Sequence, residues 1–208
     1  EADGLIPVPA ETRAAVESAA QALEQQGFTV KRFRPQGLEA TRKLWWTIFM
    51  QCGEMLYEPM IRGREEELSP TFRDFLALAR EEAPLTATSL LDAWVDSDLV
   101  RGRLLEEMRE FPVWLCPVCS VPAFRPFERS WTVDGQTVTY LDSMRFTQWF
   151  NLLGGPAAVV PVVRAGEGLP IGVQIAGQTY ADELVLAVAA AVESAFGYQA
   201  PPMALGER

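Results

Sequence analysis

The sequence predicts an α/β fold in which a mixed sheet is flanked by helices. Two features carry this. Helix and strand patterns alternate at the beginning of the chain and again from residue 111 onward. Between them, residues 37–110 read as helix almost throughout.

The first unit runs from residue 1 to 36. Ala14, Ala15, Ala19, Ala22 and Leu23 recur at helical spacing, so residues 9–26 are expected as a helix. Pro9 suits its first turn and Gly27 its C-terminal cap. Residues 28–33 then alternate like a strand, closed by Pro35. A helix followed by a strand is half of an α/β unit, and the strand that should precede the helix would lie ahead of residue 1. The opening Glu1-Ala2-Asp3-Gly4 has no initiator Met and no leader, and looks cut from a longer polypeptide or left by a removed tag or signal.

In the helical region, residues 37–62 form an unusually apolar stretch with Leu44, Trp45, Ile48, Phe49, Cys52, Met55 and Leu56 on a wide face. Trp45 and Trp46 are expected to point one ring inward and one outward. Residues 70–82 and 87–110 are further helices, and Ser69 is placed to cap the first of them. From residue 111 to 208 strands return. Residues 111–116 read as a buried strand, and Asp134-Gly135 joins a hairpin between two alternating runs. Residues 141–150 are expected as helix, 157–163 and 171–176 as strands joined by a turn at Gly166, Gly168 and Pro170, and 181–196 as a final amphipathic helix.

Composition narrows the function. The 208 residues carry a net charge of −10, with 49% hydrophobic and 22% charged residues, the balance of a soluble globular chain. Such a charge repels a phosphate backbone, and the basic cluster Lys31, Arg32 and Arg34 is short, so no nucleic acid is expected as partner. No apolar run is long enough to span a membrane. The chain contains no histidine, which excludes a Ser-His-Asp or Cys-His pair and any His-ligated zinc or haem within it. Neither metal nor other cofactor is expected. Three cysteines are too few for a disulfide framework and indicate a reducing, cytoplasmic setting. Cys116 and Cys119 have redox-motif spacing, but Cys116 falls in an expected strand rather than at a helix N-terminus, so a structural role is expected and a redox protein is a remote alternative.

The stretch from Thr147 to Gly197 carries a resemblance. Asn151, then Gly154-Gly155-Pro156-Ala157, a strand reaching Pro161, then Gly168-Leu169-Pro170-Ile171-Gly172-Val173-Gln174-Ile175-Ala176-Gly177, then Asp182-Glu183 and Glu193, follow in order and spacing the C-terminal block of the amidase-signature family. Residues 9–30 resemble that family's helix–strand unit midway along the chain, and residues 37–110 its most variable helical part. Thr147 and Asn151 fall where the family commonly has Thr and Asn. The resemblance implies a hydrolase of carbon–nitrogen (amide) bonds with a mixed sheet. It also implies a Ser nucleophile, a second Ser in a cis peptide and a Lys base, all set in a "GGSSGG"-like signature.

Nothing here resembles that signature. There is no Ser-Ser pair, and Lys31 and Lys43 are the only lysines. No catalytic residue is therefore assigned, and the chain alone is expected to be inactive. The resemblance implies instead that it supplies core and substrate-pocket walls, with Met144, Thr147, Trp149, Asn151 and Gly154 as pocket candidates. Where amidotransferase members carry an Asp that grips an amino group, this chain has Met144, with Asp142 two residues away. That implies a small-molecule amide substrate of apolar character. A part of a domain exposes apolar surface, so self-association or association with the missing N-terminal half is expected. A non-catalytic binding or assembly module derived from the same family is the alternative.

Overall fold

Strand β5 (Pro170–Gly177) organises the larger sheet. It lies between β1 (Val113–Pro117) and β4 (Ala157–Arg164) and is antiparallel to both. The structure, a computed structural model, describes residues 6–164 and 168–198. Val173, Ile175 and Ala176 are fully buried, so β5 is covered on both faces.

Two layers of helix provide the cover. On one face, α1 (Ala10–Gln25) and α8 (Asp182–Phe196) pack Ala15, Val16, Ala19 and Leu23 beside Val185, Val188 and Val192 onto Ile171, Val173 and Ile175. On the other, Leu38 and Leu44 of α2 (Leu38–Trp45), Val100 and Leu104 of α5 (Ala87–Glu107), and Phe146, Trp149, Phe150 and Leu153 of α7 (Arg145–Leu153) pack against Trp114 and Ala176. Helices on both faces of a sheet make the fold α/β, as the sequence predicts.

Local chemistry sets several boundaries. Gly27 takes a φ of 92° just past α1. The Ser69 hydroxyl accepts the Phe72 N–H at 3.2 Å and starts α4 (Pro70–Arg80). Thr86 and Ser89 cap α5 reciprocally. Strands β2 (Ser130–Val133) and β3 (Gln136–Thr139) form the expected hairpin, and positive φ at Asp134 (49°) and Gly135 (76°) defines its turn. Asp182 and Glu183 occupy the first turn of α8, where carboxylates favour the helix dipole.

Some expectations need correction. Residues 28–33 belong to no strand: the Phe28 N–H bonds back to Leu23 O, and no ladder follows. Alternation prepares a segment for a sheet, but a ladder also needs a neighbour. The apolar stretch from residue 38 to 61 is not one α-helix. A π-helical segment, Trp46–Gln51, separates α2 from α3 (Cys52–Ile61). Trp45 and Trp46 are both half-buried, so there is no inward and outward ring. The helix expected over 141–150 is two, α6 (Tyr140–Ser143) and α7, broken at Met144 with φ −89° and ψ 13°. The expected turn residue Gly166 lies outside the described residues.

Candidate functional site

Two cavities meet the residues singled out by sequence. The smaller, of about 390 Å³, lies among the π segment, α3, α4 and α6. Phe49, Met50, Gly53, Tyr57, Phe72, Phe75 and Leu76 line it, with Tyr140 and Met144 at the α6–α7 break. The π segment inserts an extra residue per turn and so changes the phase at which later side chains leave the helix. It brings Phe49 and Met50, Gly53 one turn later and Tyr57 a turn beyond that to the same opening. The Tyr57 and Phe72 rings meet edge-on at 5.5 Å and fix one wall.

Three polar side chains around this cavity are engaged by neighbours. Glu54 accepts Arg80 Nε–H at 2.6 Å. Thr71 Oγ1 accepts from Arg129 at 2.6 Å, and the Arg129 guanidinium lies over Tyr140 at 5.1 Å. Ser69 Oγ is held as the α4 cap. What faces inward is mainly apolar and aromatic, suited to an apolar group rather than to a charged one.

The larger cavity, of about 550 Å³, lies on the side of β1 away from β5. Residues 28–35 form one edge and Val113–Cys116 the other. Val16, Ala20, Leu23 and Val188 close one face, and Leu38, Phe146 and Trp149 the opposite one. Phe33 stacks on Phe111 at 4.6 Å near its end.

The five candidate residues do not converge. Met144 faces the smaller cavity, while Trp149 is buried beside Trp114 and lines the larger. The Thr147 hydroxyl is spent on Met144 O at 2.9 Å. Asn151 is exposed, and exposed Gly154 ends α7 with a φ of 68°. Asp142 points elsewhere, pairing with Arg42 at 2.7 Å. Gln174, within the Gly168–Gly177 block, was given no role by the sequence. It is buried and joins the sheet to α7, its amide donating to Phe146 O at 3.0 Å and to Cys116 Sγ at 3.1 Å. A lone Gln among alternating apolar residues is the signal for such a tie. Phe49, Tyr57 and Phe72 of the smaller cavity had no sequence signal beyond apolar periodicity.

Lys31 pairs with Glu110 at 3.8 Å on the rim of the larger cavity, and Lys43 is exposed on α2. Cys116 lies within a strand, away from any helix N-terminus, and its buried sulfur accepts from Gln174. Burial pushes the Cys52 thiol up, the wrong direction for a nucleophile. Among the described residues no cluster could hold a metal ion, and no helix is long and apolar enough to cross a membrane.

The sequence model described as Amidase matches residues 1–186, and the chain belongs to that family. It is similar to an indoleacetamide hydrolase from Bradyrhizobium japonicum, 28% identical over 189 residues, which are 89% of this chain and 39% of that protein. It is also similar to a fatty acid amide hydrolase from Medicago truncatula, 34% identical over 154 residues, 73% of this chain and 24% of the relative. An amidase crystal structure superposes with a TM-score of 0.79 at 23% identity, covering 91% of this chain and 43% of that one. A chain of a vestigial protein complex related to an s-triazine catabolic enzyme superposes at 0.81 with 19% identity, covering 98% and 43%. The chain thus spans about two fifths or less of the proteins it matches.

Proposed function

We propose that residues 1–208 form the C-terminal part of a single amidase-signature domain. In this reading they contribute core and substrate-pocket walls to an amide hydrolase whose Ser-Ser-Lys centre lies in the remainder. One observation carries it: the chain matches only 39% of the indoleacetamide hydrolase. The apolar cavity beside Met144 supports an apolar amide as substrate, in the direction of relatives named for indoleacetamide and fatty acid amides. Of the sequence candidates, Met144 is the wall residue this reading retains first.

The test is direct. The purified chain is incubated with indole-3-acetamide and with oleamide, and release of ammonia is measured. No turnover is expected from the chain alone. Ammonia release by the purified chain would sink the claim that the centre lies elsewhere. The reading also supports association. Met55, Leu56 and Met60 of α3 and Leu91, Trp94 and Leu99 of α5 are 56–73% exposed, more apolar surface than a lone folded unit usually leaves in water. Sedimentation should show a self-associating species, and a well-behaved monomer across the micromolar range would count against it.

A further inference from the structure

We infer that the outer face of α5 is a docking surface for a basic amphipathic helix of another polypeptide. The helix has two apolar faces. Ala93, Val100 and Leu104 are buried on one. On the other, Leu91, Trp94, Val95 and Leu99 stand more than half exposed. Leu91, Val95 and Leu99 follow one another at intervals of four residues, so they rise as a ridge about 12 Å long, with Trp94 alongside. Gly102 continues this face. It is exposed, and nothing lies within 4 Å of where its Cβ would stand, so a neighbouring backbone can come close there. Such a ridge is what one helix presents to the groove of another.

Charge selects the partner. Asp92 and Asp96, one turn apart, flank the ridge on one side, and Asp98 lies one turn beyond Trp94 on the other. All three are exposed. Other carboxylates of the helical region are engaged: Glu54 pairs with Arg80, Glu58 with Arg62 and Asp74 with Arg129. Among the described residues no cation pairs with Asp92, Asp96 or Asp98. Arg101, the first cation along α5, is turned to Leu153 O at 3.1 Å, and Arg103 lies about two turns beyond Asp96.

Trp94 and Asp98 form the most selective part of the surface. An indole with a carboxylate one turn away holds a guanidinium twice, by cation–π attraction and by an ion pair. The same carboxylates repel anionic lipid and phosphate backbones. A second copy brings like charges, so two α5 ridges laid together set carboxylate against carboxylate. The occupant that fits is apolar along one stripe and carries arginine or lysine at its margins. This deepens the association proposed above and is separable from it: sedimentation reports the chain with itself, and a basic peptide reports the partner.

The experiment titrates the full chain into a fluorescein-labelled peptide of leucine and arginine, about five helical turns long with its leucines at helical spacing, and follows anisotropy. The arginine peptide is expected to bind, less tightly as salt rises. A peptide with glutamate for arginine should bind at least about tenfold more weakly. Trp94→Ala should weaken the arginine peptide at least about tenfold, and so should the triple change Asp92→Asn, Asp96→Asn and Asp98→Asn, which should also flatten the salt dependence. These positions are exposed, so circular dichroism should be unchanged. If the triple variant loses its fold, Asp98→Asn alone should weaken binding about threefold. Leu56→Ser with Met60→Ser on α3 should leave binding as it was. Equal binding of the two peptides overturns the inference, as does binding that survives the α5 changes or is lost in the α3 variant. Phosphatidylglycerol vesicles that slow amide exchange in α5 as much as the peptide does would give the face to a lipid surface instead. An arginine peptide that fails to bind the self-associated chain would give it to a second copy, and either result overturns the proposal.

Discussion

The β4–β5–α8 unit and the α2–α5 region use the same amphipathic logic and end differently. On α8, Val185, Val188, Ala189 and Val192 all reach the sheet and are buried. On α5, Ala93, Val100 and Leu104 are buried, while Leu91, Trp94, Val95 and Leu99 stand 56–67% exposed. The first unit finds its partners in β4, β5 and the distant α1, and of its large apolar side chains leaves chiefly Leu186 in solvent. The second shows two apolar faces and has a neighbour for one. Apolar periodicity therefore reports that a face will be covered, and the chain's own elements decide how much of that cover is present.

Substitutions can break that contrast. Ile175→Ala removes side-chain volume from a fully buried β5 position and should cost about 2–5 kcal/mol, seen as a lower denaturation midpoint with an unchanged slope. Gly155→Ala should cost about 1–3 kcal/mol, because a Cβ there would stand 2.2 Å from Gly177 O. In the helical region, Ser69→Ala should cost about 1 kcal/mol through loss of the α4 cap. The paired change Leu91→Ser with Trp94→Ser should move stability by less than about 0.5 kcal/mol per site while lowering self-association in sedimentation. If the pair destabilises as much as Ile175→Ala, the α5 face is already packed in solution and the contrast fails.

What could be read in advance divides along the same line. The Asp134-Gly135 turn, the Ser69 cap and the Gly27 terminator were legible because each depends on residues within a few positions. The α/β class was legible because strand and helix patterns alternate from residue 111 onward, where the sheet forms. The strand at 28–33 was over-read, since pairing depends on a partner that a local pattern does not specify. The π segment and the break at Met144 were missed, for neither contains proline or glycine to announce it. The candidate site was legible only at Met144. Its other walls come from α3 and α4, up to about ninety residues earlier in the chain, and no motif connects them.

Gly155 and Gly177 lie in one stack. A Cβ on Gly155 would strike Gly177 O, and a Cβ on Gly177 would strike Val185 Cγ2 at 2.6 Å. The Gly177 N–H meanwhile donates to Pro156 O at 3.0 Å. The turn after α7 and the end of β5 are thus clamped at backbone separation, and the Val185 side chain from the first turn of α8 fills the space beside Gly177. Such a clamp transmits displacement rather than absorbing it. Fraying of α8 should loosen the 154–156 turn in the same opening event, so the amides of both should exchange with one shared rate.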